Sequence, residues 1–174
     1  MRTVIYGAAC SLDLYIARAD GAVDWLQWSD DVGRIMGEFW KGIDTIVMGR
    51  KTYEAGKAMG PAPAMPGVRG YVFSRTLDEE MPPGTELVRE EAADFVRRLK
   101  EQDGKGICVM GGGELAQSLF EADLIDEVGA NVHPVLLGSG IPLFRPVSHQ
   151  LDLELIENRT LSGGCAYLLY RVKR

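Results

Sequence analysis

The chain has 174 residues, 46% of them apolar and 25% charged, and a formal net charge of -6. That is enough for one domain with a substantial core, here taken as 1–174, and too apolar for disorder. The acidic balance and the lack of a long basic run exclude nucleic acid or an anionic membrane as the main partner, since both need a concentrated cationic face.

The opening run Thr3–Ala9 predicts a strand. It has neither the apolar length nor the cleavage pattern of a secretion signal. No stretch approaches the roughly 20 apolar residues that span a bilayer. Cys10, Cys108 and Cys165 are odd in number, widely spaced and set among apolar neighbours, which predicts free thiols and a cytoplasmic location. His133 and His149 are isolated, and no metal site is expected.

Ser29 can cap a helix running to about Lys41, with Val32, Ile35, Met36 and Phe39 on one stripe. Ile43–Met48 then reads as a buried strand turning at Gly49 into a second helix. Free N–H groups there, with Arg50, Lys51 and the Thr52 hydroxyl, form either a phosphate site or a simple exposed basic helix end. After a Pro- and Gly-rich loop, Gly60–Gly67, comes the strand Gly70–Ser74. Ser74 and Arg75 at its end offer a hydroxyl and a guanidinium, suited to a phosphate or merely solvated. A second loop, Met81–Gly84, leads to a helix over Glu90–Gln102 with Ala93, Phe95, Val96 and Leu99 inward.

The strand Ile107–Met110 ends in Gly111, Gly112 and Gly113 and then a helix over Glu114–Ala122. Three glycines exceed what a tight turn needs, and they would let a pyrophosphate approach the backbone. All three corners follow strands, and parallel strands bring their C-terminal ends to one edge, where ligands bind. The last third predicts strands at Asp126–His133, Leu151–Arg159 and Cys165–Lys173, with Ser162–Gly164 as a turn between the last two. The architecture expected is an α/β body with a mainly parallel central sheet, closed by a C-terminal antiparallel hairpin.

The opening segment Gly7–Ala17, Val47–Thr52, Phe73–Arg75 and Val109–Gly113 resemble the dihydrofolate reductase superfamily, in order and over nearly the whole chain. The run His133–Phe144 resembles its branch containing the reductase domain of riboflavin biosynthesis and stand-alone relatives. The resemblance implies a three-layer αβα fold of the dihydrofolate-reductase type, NADPH as cofactor, a small-molecule substrate and a homodimer. By it, Ala9 and Ile16 pack around the nicotinamide, and Gly49, Arg50, Lys51 and Thr52 hold phosphates. Ser74 and Arg75 reach the adenosine 2′-phosphate, and Gly111, Gly112, Gly113 and Glu114 lie against the pyrophosphate and nicotinamide. A cis peptide would join Gly111 and Gly112. Asn131 falls on a strand lining the substrate site.

Counting from Trp25 places the acidic substrate-site residue at Asp30 or Asp31. The same two residues also fit the first turn of a helix, favoured there by its dipole. Leu14 stands where close relatives carry Gly, which predicts a differently shaped first loop. Val68 replaces the cation that folate enzymes use for the glutamate tail.

The resulting expectation is hydride transfer from NADPH to a small heterocyclic or ring-opened imine, as in 5-amino-6-(5-phosphoribosylamino)uracil reductase. Lys57, Arg18 or Arg145 would then serve the ribose phosphate. Alternatives are reduction of dihydrofolate or another pterin, and a nucleotide-binding module without turnover.

Overall fold

The apolar runs of the sequence become strands of one eight-stranded sheet in the computed structural model, which describes residues 1–60 and 65–174. The Gly60–Gly67 loop therefore lies partly outside the described residues. In chain order the elements are β1 (Val4–Ser11), β2 (Tyr15–Ala17), α1 (Asp30–Lys41), β3 (Ile43–Gly49), α2 (Arg50–Ala58), β4 (Arg69–Phe73) and β5 (Thr85–Val88). There follow α3 (Ala92–Glu101), β6 (Gly106–Met110), α4 (Gly113–Glu121), β7 (Glu127–His133), β8 (Ile141–Pro142), β9 (Leu153–Thr160) and β10 (Ala166–Val172).

The sheet order is β5-β4-β3-β6-β1-β7-β10-β9. Its first six strands are parallel, and β10 and β9 close it antiparallel, with a short 3-10 turn at Ser162–Gly164 between them. This is the three-layer arrangement expected. Alternation along β1 explains the two faces. Val4 and Tyr6 join Val47, Val109, Val96, Leu99 and Leu119 in the core under α3 and α4. Ile5 faces the other way, toward the α1 layer, where Phe39 and Trp40 pack on Ile43, Ile46 and Cys108.

Two features depart from the sequence reading. β5 adds an edge strand in which Glu86 breaks the apolar run, so no buried-strand signal marks it. β2 and β8 form a separate two-stranded antiparallel sheet, too short for any periodicity to appear. Two buried cations are structural. Arg2 is paired with Asp44 and donates to Thr45 Oγ1 at 2.6 Å, and Lys100 is paired with Asp126 and donates to the Leu124 carbonyl at 3.1 Å. Among the described residues no helix is long and apolar enough to cross a membrane.

Candidate active site

The site begins where the sheet opens. The ladder between β1 and β6 ends at Tyr6 opposite Val109, whereas β1 stays paired with β7 as far as Ser11 opposite His133. Past Tyr6, Ala8 and Ala9 on one side and Met110 and Gly111 on the other line a cavity of about 400 Å³. Its floor is low because the sheet face under α1 carries small residues. Gly7 lies so close to Gly129 that a Cβ on it would stand 2.1 Å from the Gly129 carbonyl oxygen. The roof is the apolar stripe of α1, Val32, Ile35, Met36 and Phe39, and Leu26 and Trp28 stand at the mouth. Trp28 is 77% exposed.

Polar groups gather at one end. Residues directly opposite in adjacent strands share a face, and the register places Ala9, Asn131 and Tyr167 in one row, with Ser11 and His133 in the next. Gln27, Asn131, His133 and Tyr167 all line the cavity. His133 is buried, and its Nδ1 accepts the Gln27 backbone N–H at 3.3 Å and lies 3.4 Å from Cys165 Sγ. Its Nε2 lies 3.4 Å from the Asn131 amide nitrogen, and which of the two donates follows from the tautomer. Burial holds the ring neutral by lowering its pKa below the ordinary 6.5. The Asn131 amide oxygen is buried without a partner among the described residues. Burial also pushes the Cys108 thiol in the lining up to about 12, which makes it inert.

Beside the cavity, two helix starts are free of side-chain caps. α2 begins after Gly49 and α4 after Gly112, neither with a side-chain cap, and α2 has no acid in its first turn. α1 is the contrast: Ser29 Oγ caps it through the Val32 N–H, and Asp30 and Asp31 occupy its first turn. Met48 opposite Met110 and Gly49 opposite Phe73 bring the ends of β3, β6 and β4 to one edge. Arg50 donates to Thr76 Oγ1 at 3.0 Å, which ties the first and second corners together, and to Glu54 at 2.6 Å. Ser74 Oγ accepts from the Thr76 and Leu77 N–H groups, and Arg75 is exposed and paired with Glu91. Lys51 is exposed.

The turn after β6 differs from expectation in one respect. No cis peptide joins Gly111 to Gly112, and the chain reverses instead through Gly111 at φ +96°. Glu114 at the start of α4 is paired with Arg145 at 2.9 Å.

The structure brings Ala9, Ile16, Gly111 and Asn131 into the cavity lining, and sets the other glycines, Arg50, Thr52, Ser74 and Arg75 along the adjoining sheet edge. Asp30 and Asp31 are not in the lining. Asp30 is exposed, and Asp31 accepts the Ser162 N–H at 3.1 Å and its hydroxyl, which hold its carboxyl below the usual range, with Arg34 beside it at 3.5 Å. The three cations considered for a ribose phosphate each face a carboxylate: Arg18 on Asp24 at 2.8 Å, Lys57 on Glu79 at 2.9 Å and Arg145 on Glu114 at 2.9 Å. His133, Tyr167, Gln27 and Trp28 were missed. The alternation Gly129, Asn131, His133 along one strand was the available signal for the first of them.

The family model of the RibD C-terminal domain matches residues 2–167. The uncharacterized protein YwjB of Bacillus subtilis (strain 168) is 37% identical over 173 residues, covering 99% of this chain and 98% of its own. A crystal structure of a Shewanella sp. PV-4 protein named after riboflavin biosynthesis superposes with TM-score 0.85 and 28% identity, covering 99% of both chains. Enterococcus faecalis dihydrofolate reductase, complexed with NADP(H), shares the fold at TM-score 0.71 and 14% identity, over 99% of this chain and 97% of that one.

Proposed function

Because the chain belongs to the RibD C-terminal domain family, we propose that it is an NADPH-dependent oxidoreductase that delivers hydride to a small heterocyclic or ring-opened imine. The observation that carries this reading is the opening between β1 and β6, which joins an apolar cavity directly to two uncapped helix starts. Helix N-termini attract anions through unsatisfied N–H groups and the helix dipole. A cofactor with a diphosphate at one end and a flat uncharged ring at the other fits that join.

The cofactor supplies the hydride, and the chain orients it. Gly49, Lys51, Thr52, Gly112 and Gly113 offer backbone N–H groups, a hydroxyl and a cation to the diphosphate. Arg50, Ser74 and Arg75 serve the 2′-phosphate. Ala9, Ile16 and Gly111 leave room for the nicotinamide, and Glu114 positions Arg145 beside the glycine turn. Asn131 and His133 would hold the polar edge of the substrate. The bound NADP(H) of the Enterococcus enzyme supports this choice of cofactor.

Asp30 and Asp31 serve α1 rather than proton transfer in this reading. Their place in its first turn and the Ser162 contacts account for both. The chain also pairs with a second copy of itself. Its outer edge strand β9 leaves Leu153, Leu155 and Ile156 exposed beside unpaired backbone groups, a combination that invites strand pairing.

Titration calorimetry with NADPH tests the cofactor assignment. Micromolar or tighter binding supports it, and no heat of binding up to millimolar NADPH would refute it.

A further inference from the structure

Resting on the reductase reading, we infer that the substrate carries no formal charge: it is a flat, mostly apolar heterocycle with one polar edge, not a phosphorylated ribosylaminopyrimidine and not a folate.

The lining sets this. Among the described residues around the cavity there is no Lys, Arg, Asp or Glu. Trp28, Phe39 and Trp40 offer wide aromatic faces, and Met36 and Met110 adapt to irregular apolar shapes. Polar character is confined to the Asn131, His133 and Tyr167 end, where the Asn131 amide can hydrogen-bond one ring edge. A ring with one polar edge at Asn131 and its body under α1 satisfies both halves of the cavity.

A phosphate or carboxylate finds nothing comparable. An ion taken from water into an apolar site needs a hydrogen-bonded counter-charge. The cations on or beside α1, Arg34, Lys41 and Arg159, all lie outside the lining. Arg18, Lys57 and Arg145 likewise lie outside the lining. Val68, at the place a folate enzyme needs a cation, instead packs into the apolar cluster with Phe39 and Trp40. His133, held neutral by burial, offers an N–H and no charge.

Two matched pairs of probes test this by calorimetry on the full chain loaded with NADP⁺: ribosylaminouracil against its 5′-phosphate, and a tail-less dihydropterin against dihydrofolate. The uncharged member of each pair should bind about 10- to 100-fold more tightly. Trp28→Ala, at an exposed position that leaves the core intact, should weaken the uncharged members by about 3- to 10-fold and leave the charged ones unchanged. Met36→Arg should shift the preference toward the 5′-phosphate. Equal or tighter binding of the charged member in either pair would overturn the inference, as would failure of both uncharged probes to bind. NADPH that binds but is oxidised with none of the four counts against the reductase reading, independently of the order of binding within each pair.

Discussion

Gly111 and Thr52 are packed as one unit, since a Cβ built on Gly111 would lie 1.8 Å from Thr52 Oγ1. The glycine turn after β6 and the first turn of α2 are thereby locked together, at the edge where both uncapped helices begin. The neighbouring glycine is under no such constraint. Gly112 has φ -74°, and the nearest atom to a Cβ on it is Ile141 Cγ2 at 3.9 Å.

This contrast separates fold from function. Gly111→Ala meets both a positive φ and a backbone-anchored side chain, and should cost about 2–3 kcal/mol of stability in urea unfolding. Gly112→Ala should stay within about 0.5 kcal/mol of the parent, yet bind NADPH at least about tenfold more weakly, because its methyl group stands where the cofactor approaches. A Gly112→Ala protein that folds and binds NADPH with unchanged affinity would make this turn a structural corner only.

Arg75 is expected to read the 2′-phosphate. Its pairing with Glu91 is between two exposed side chains, so exchanging that partner costs little. One charge-assisted phosphate contact contributes about 1.5–3 kcal/mol, or roughly 10- to 150-fold. Arg75→Ala should therefore weaken NADPH by that factor and leave NADH nearly unchanged in parallel titrations. Equal losses for the two cofactors would remove Arg75 from this role.

Strands and glycine corners were readable because strands buried on both faces are near-continuous apolar runs, and Gly marks where they end. The cavity was not, because it is a product of register. Nothing local links Asn131 to Tyr167 or Gly7 to Gly129 until β1, β7 and β10 lie side by side. The first loop is also instructive. Leu14 was expected to reshape it, yet Leu14 takes φ +62°, the left-handed conformation that favours glycine. The surrounding bonds hold it there: Ser11 Oγ accepts from the Tyr15 N–H at 2.9 Å, and Asp13 accepts from Leu137 and Gly138 at 3.1 and 2.7 Å. They offset a backbone cost of about 1–2 kcal/mol. The acidic pair lies off the cavity for a simple reason: the spacing that puts Val32, Ile35, Met36 and Phe39 over the cavity leaves Asp30 in solvent and Asp31 at Ser162.

His133 gives a pH signature. Its pKa in the fold lies below 6.5, so below that pH the unfolded chain takes up a proton that the folded chain resists. The unfolded state then binds more protons, and stability falls as pH drops through 6.5 toward the folded value, by up to about 1.4 kcal/mol per unit. Urea midpoints at about pH 7.5 and 5.5 should show this loss in the parent and a shallower one in His133→Gln. Identical slopes in the two proteins would show that His133 is as easily protonated folded as unfolded.

Pairing through β9 is tested by light scattering. The parent should be a dimer at micromolar concentration, and Leu155→Arg, placing a charge on the exposed edge, should give a folded monomer. A monomeric parent, or a dimer indifferent to Leu155→Arg, would place any association elsewhere.

The central claim is that this cavity hosts hydride transfer, which is tested most directly by following the hydride itself. The protein is incubated with NADPH deuterated at the transferable nicotinamide C4 position and, separately, with ribosylaminouracil and the tail-less dihydropterin, and the products are read by mass spectrometry. The account predicts that at least one product gains a single deuterium, and that Asn131→Ala slows its transfer about 10-fold or more while NADPH still binds. Tight NADPH binding with no deuterium in any product, including those from the 5′-phosphate and from dihydrofolate, would contradict it and leave a nucleotide-binding module without turnover.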